Sequence, residues 1–242
     1  MPARHELQTQ EILNRAFNST LNALRLDVEG ALRQDQWREY AVGGWTAVVA
    51  GSGATAQAPH LEQVATGATG SSTALLKTSA NAGLSAGRAR TVIDFDKRLV
   101  MVLYLTVDAA TTNGLLRVTL GKPNSGAGSG VGNLTIKGIG IRIANVTIAG
   151  HHYGTSAVTT TLSPNALTAT TEYRVVVVSA AGAMEWFLDD GGGDLVSLGT
   201  ATTGPTGLGT AGNCLLQVEA DNGVDAVDTT FSVHSCKLYV AQ

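Results

Sequence analysis

The chain has 242 residues, of which Gly, Ala and Thr together supply 91, while charged residues make up 14% and aromatics 5%. A 44% hydrophobic share without any block of like charge excludes a disordered chain. Scattered Lys and Arg (16, against 19 Asp and Glu, net charge −3) exclude the basic stripe of a nucleic-acid binder, and no apolar run approaches the ~20 residues that cross a bilayer.

Residues 3–26 carry helical spacing. Leu7, Ile12, Leu13, Phe17, Leu21 and Leu24 recur near i, i+3 and i+4, and Leu26 closes the ridge. A lone helix of this length is marginal in water, so the ridge needs cover from the next domain or from another chain. Residues 27–44 change to polar and glycine-rich character and read as a connector. The organisation expected is an anchor with connector over 1–39 and one β domain over 40–242.

From Trp45 onward the helical period is gone, and runs of β-formers alternate with turn residues. The expected strands are 45–49, 74–78, 88–95 and 99–107, the last so evenly apolar that it should be buried on both faces. Residues 114–120 follow, then a glycine-rich loop over 122–132. Leu134 to Ile143 runs on toward Val146 and Ile148, with Gly138 and Gly140 marking a bend or bulge. Then come 173–178, a turn at 179–182, 183–188, a turn at 189–194, 195–198, 214–218 and 231–240. Ten or more short strands without intervening helices predict an all-β fold, an antiparallel jelly-roll sandwich behind a short helical anchor. Cys214 and Cys236 fall in strands and read as buried reduced thiols.

The hairpin over 172–191, with its Tyr173-Arg174-Val175 strand and its Trp186-Phe187-Leu188-Asp189 return, resembles the paired strands of concanavalin-like (laminin-G-like) sandwiches. The closing Ser235-Cys236-Lys237-Leu238-Tyr239-Val240 resembles the last strand of such domains. Ala16 to Leu26 is similar to short segments of tailed-bacteriophage virion proteins that precede a β-rich exterior domain. Together these resemblances imply a virion structural protein, assembled in a host cytoplasm. Its anchor would dock on capsid or tail proteins, with the sandwich displayed outside as a decoration or head-fibre module. A symmetric homo-oligomer, a trimer by preference, would cover the ridge.

The residues themselves show no catalytic signature. Glu172 and Glu185 lie on two arms of one hairpin, but a glycosidase pair must face across a cleft, and solvent-facing strand residues are the simpler reading. Asp221, Asp225 and Asp228 form the densest acidic segment. An acidic surface turn is the default there, with Ca²⁺ as the alternative, so no cofactor is expected otherwise. His151 and His152 are adjacent on a strand and point to opposite faces, which argues against one shared ion. Trp45 and Tyr153 are candidates for stacking on sugar rings. The expected role is therefore non-enzymatic. The alternative to the virion role is a carbohydrate-binding module recognising a host-surface glycan.

Overall fold

A computed structural model describes residues 37–40, 45–58, 61–78, 94–107, 114–121, 137–189, 195–209, 215–222, 228 and 230–241. The expected anchor helix, with Leu7, Ile12, Leu13, Phe17, Leu21, Leu24 and Leu26, lies outside these residues, as do the 122–132 loop, Cys214 and Asp225. Every regular element among the described residues is a strand, and all pairings are antiparallel.

The strands are β1 (Trp37–Tyr40), β2 (Trp45–Ala50), β3 (Ala54–Ala58), β4 (Leu61–Ala65), β5 (Thr73–Thr78), β6 (Leu99–Val107), β7 (Leu115–Gly121), β8 (Gly138–Ala144), β9 (Thr147–Tyr153), β10 (Ala157–Ala166), β11 (Glu172–Ala180), β12 (Ala183–Asp189), β13 (Val196–Ala201), β14 (Leu215–Asp221) and β15 (Thr230–Ala241). They form two sheets. The first runs β13-β12-β11-β6-β15-β4-β3, with β1 also on β15; the second runs β10-β9-β8-β7-β14-β5-β2.

Side-chain alternation welds the sheets face to face. Leu99, Met101, Leu103, Leu105 and Val107 of β6 join Val175, Val177, Trp186 and Leu188 of the first sheet in one core. Against them lie Leu116, Val118, Leu120, Ile139, Ile141, Ile143 and Val218 of the second sheet. Trp186 is the largest fully buried side chain, and its Nε1 donates to the Gly140 carbonyl at 3.0 Å. Gly150 exists for this ring: a Cβ there would stand 2.5 Å from Trp186 Cζ2. The intervening β6 residues Val100 and Val102 are also fully buried, so this central strand is covered on both faces as its composition predicts.

The last strand explains an irregular pattern in the sequence. Its inward residues switch from odd (Phe231, Val233) to even (Cys236, Leu238) numbers. The register against β6 shifts between Val233 and Ser235, so His234 is the extra residue of a bulge. His234 Nε2 is 2.8 Å from Thr106 Oγ1.

Several expectations change. The end of the expected strand 88–95 is not a strand: Asp94 makes an isolated bridge to Leu208, and Phe95 sits in the following turn, fully buried. The run from 138 to 148 is split between β8 and β9 by a tight turn, in which Asn145 takes φ 58°. Gly138 and Gly140 mark no bulge, since β8 pairs with β7 and β9 in unbroken register. Glycine is needed at 140 because a Cβ would lie 2.2 Å from the Val118 carbonyl oxygen. The connector read over 27–44 contains β1, which pairs with the end of β15. Three further strands carry too little apolar alternation to stand out. They are β3, β4 and the threonine-rich β10, an edge strand that tolerates Pro164.

Candidate functional site

The second sheet places an unusual set of side chains on its outer face. Leu116, Val118 and Leu120 point into the core, so Arg117 and Thr119 point outward. The same alternation sends Arg142 out from β8, His151 and Tyr153 from β9, and Gln217, Glu219 and Asp221 from β14. Register then aligns them in rows across the strands. One row reads Glu219, Arg117, Arg142, Ala149, Thr161; the next reads Gln217, Thr119, Gly140, His151, Thr159.

An outward face usually carries solvated polar groups. Here the polar groups are buried: Arg117 is 8% exposed, Glu219 4% and His151 1%, with Thr119 and Gln217 close behind. Arg142, Tyr153 and Asp221 are half-buried, and Thr159 and Thr161 on β10 are exposed. Among the described residues Nε and Nη1 of Arg117 and Nε of Arg142 have no hydrogen-bond partner, although buried guanidinium donors are normally filled.

Burial sets the protonation states. It pulls Arg117 down to about 10, an effect opposed by the Glu219 carboxylate and reinforced by Arg142. It pushes Glu219 up to about 7, with Arg117 opposing and Asp221 reinforcing. It pulls His151 down to about 4, helped by Arg117 and Arg142, so this imidazole is neutral near pH 7. His152 faces the other way, as strand alternation requires. Its ring centroid lies 5.8 Å from that of Trp186, and its Nε2 is 3.0 Å from Thr203 Oγ1.

Of the residues singled out from sequence, Tyr153 stands on this face at the end of β9, opposite Gly138 and Ala157. Trp45 begins β2, and four strands separate β2 from β9, ~24 Å at ordinary strand spacing. The two aromatics therefore do not form one platform. Glu172 and Glu185 do not form a pair. Glu185 lies opposite Val178, six residues or ~20 Å along β11 from Glu172, and its Oε1 accepts from Ser197 Oγ at 2.7 Å.

The acidic segment after β14 ties the fold together. Asn222 is fully buried; its Oδ1 accepts from Ser72 N at 2.9 Å, and its Nδ2 donates to the carbonyls of Gly67 at 3.2 Å and Thr69 at 2.8 Å. Asp228 Oδ1 accepts from Gly67 N at 2.9 Å. These oxygens are committed to the 67–72 turn. Among the described residues no three His, Cys, Asp or Glu side chains converge to hold a metal. Asp225, the middle member of the acidic segment, lies outside the described residues.

No protein-family model matches the chain, and no curated protein does. Solved structures do. A protein of unknown function from Shewanella oneidensis is 14% identical with a TM-score of 0.54, over 85% of this chain and 86% of that one. The Ca²⁺-bound exoplasmic/lumenal domain of VIP36 is 13% identical with a TM-score of 0.54, over 84% and 87%. Peanut lectin, in complex with a nine-residue peptide, is 9% identical with a TM-score of 0.53, over 85% and 97%. The fold is thus a concanavalin-like, legume-lectin-like β-sandwich.

Proposed function

We propose that the protein is a non-enzymatic carbohydrate-binding module and that the outer face of the second sheet is its binding surface. The observation that carries this reading is the row of polar side chains across one sheet face, in which guanidinium nitrogens of Arg117 and Arg142 have no hydrogen-bond partner among the described residues. Half-buried Arg142 supplies donors for sugar hydroxyls, and Tyr153 supplies an aromatic ring at the rim. The lectin fold supports the reading by analogy of architecture only.

The full-length protein on an immobilised glycan array tests this. A defined subset of glycans should be retained, Tyr153→Ala should weaken retention about 10-fold, chelation should leave it unchanged, and the sugars should be recovered uncleaved. Retention of no glycan at high protein concentration would refute the reading.

The apolar ridge from Leu7 to Leu26 favours a second, compatible role, in which that stretch docks the sandwich on a virion as a trimer. Deleting residues 1–32 should then leave a folded sandwich that no longer joins particles. Normal particle occupancy by the truncated chain would refute it.

A further inference from the structure

The outer face of the first sheet carries a second apolar cluster, separate from the core between the sheets. Val102 of β6, Val176 of β11 and Phe187 of β12 are successive cross-strand partners, and Val100 and Val178 are partners one row on. Met101, Val177 and Trp186 beside them point into the core, so these five point away from it. All five are nevertheless only 0–2% exposed. An antiparallel sheet face left to solvent is polar and wet, so burial of this kind needs a further layer. The described strands do not supply it, since every one of them belongs to one of the two sheets. The structure is of a single chain, so the layer is drawn from this chain's own sequence.

Three stretches longer than six residues lie outside the described residues: 1–36, 79–93 and 122–136. Residues 122–136 join β7 to β8 within the second sheet, and residues 79–93 leave β5 of that same sheet. Each holds three large apolar residues: Val131, Leu134 and Ile136 in one, Leu84, Val92 and Ile93 in the other. Residues 1–36 hold the whole ridge from Leu7 to Leu26. They also end beside the covered face. β1 follows them and pairs with β15, the neighbour of β6, and Glu39, Tyr239 and Val100 occupy one row of the register. β1 thus lies two strand spacings, ~10 Å, from Val100.

We propose that the ridge from Leu7 to Leu26 folds back as a helix onto the outer face of the first sheet of its own chain and covers Val100, Val102, Val176, Val178 and Phe187. The patch is ~10 Å across from β6 to β12, well within the ~30 Å that the ridge spans as a helix. Residues 27–36 reach ~33 Å when extended, which is ample for the return. A ridge tethered so close meets its own sheet at a far higher effective concentration than it meets another molecule. Apolar surface on both sides then leaves water together. The contact leaves the second sheet, and with it the glycan reading, untouched. It competes with the particle-docking role, because a ridge seated on its own sheet is not free to dock elsewhere.

The test is photocrosslinking in the full chain. Phe17→benzoylphenylalanine places a reactive ring on the ridge, and peptide mapping locates the bond it forms. The product should have the mass of one chain, with the bond in peptides spanning 99–107 or 172–189. Bonds that join two chains would overturn the proposal in favour of an intermolecular ridge. Bonds to the second sheet, or no bond within the chain, would overturn it as well. A second measurement uses natural residues alone. Leu13→Asp with Phe17→Asp puts two charges on the ridge and should uncover the valines. Sedimentation should then shift from the wild-type species to larger, self-associated ones, and an apolar dye should gain fluorescence. Gln10→Glu, on the polar side of the same stretch, should do neither. A double variant that keeps the wild-type mass and dye signal would overturn the proposal.

Discussion

Glu219→Gln keeps the shape of a buried side chain and removes its charge. Burial raises Glu219 from 4.5 to about 7. The folded state therefore holds the proton more tightly than the unfolded chain. The stability this represents is fully present below pH 4.5 and is lost as pH climbs through about 7. The displacement corresponds to roughly 3 kcal/mol at 1.36 kcal/mol per pH unit. With the residue only 4% exposed, little of that is screened by solvent. His151 works in the opposite sense. Its folded value falls from 6.5 to about 4, so its contribution is present above pH 6.5 and is lost as pH falls toward 4, again by roughly 3 kcal/mol. The two slopes offset each other between pH 4.5 and 6.5. Thermal melts of both proteins from pH 4 to 8 read this directly. Relative to wild type, the variant should gain roughly 3 kcal/mol between pH 4.5 and 7, on the order of 6–12 °C in Tm. Its own stability should rise from pH 4 to 6.5 as the His151 slope is unmasked. A difference curve that stays flat across that window would refute the electrostatic reasoning.

Gly150→Ala places a methyl against Trp186 and should cost about 1–3 kcal/mol by urea denaturation, without changing the unfolding slope. Ala181 turns the β11–β12 hairpin at φ 47°, followed by Gly182 at φ 86°. Ala181→Asn supplies the residue that such a turn prefers and should raise stability by roughly 0.5–1 kcal/mol, read as a higher Tm. Asn222→Ala removes three hydrogen bonds to the 67–72 turn and should cost about 2–4 kcal/mol, measured by the same urea titration.

Legibility of the fold followed hydrophobic strength. Leu99–Val107 and the hairpin from Glu172 to Asp189 announce themselves because long runs of Leu, Val and aromatics belong to the middle of a sheet. The edge strands β3 and β10, and β4 beside β3, carry few large apolar residues, and only their partners make them strands. The candidate site was written in the sequence as single arginines inside apolar runs, Leu115-Leu116-Arg117-Val118 and Ile139-Gly140-Ile141-Arg142-Ile143. Each by itself reads as a strand residue facing solvent. Their meaning lies in register, because 25 residues separate two side chains that pairing makes neighbours, and Glu219 arrives from a strand a hundred residues later. The acidic segment around Asp221, Asp225 and Asp228 drew attention by density. In its described part, Asn222 and Asp228 hydrogen-bond the 67–72 backbone.

Hydrogen exchange of the full chain, with and without a saturating glycan drawn from the array, addresses the central claim most directly. Slowed exchange should concentrate in peptides spanning 114–121, 138–153 and 215–222, the strands that carry Arg117, Arg142, His151, Tyr153, Gln217 and Glu219. Protection confined to the first sheet, or to the stretch before Trp37, would contradict it.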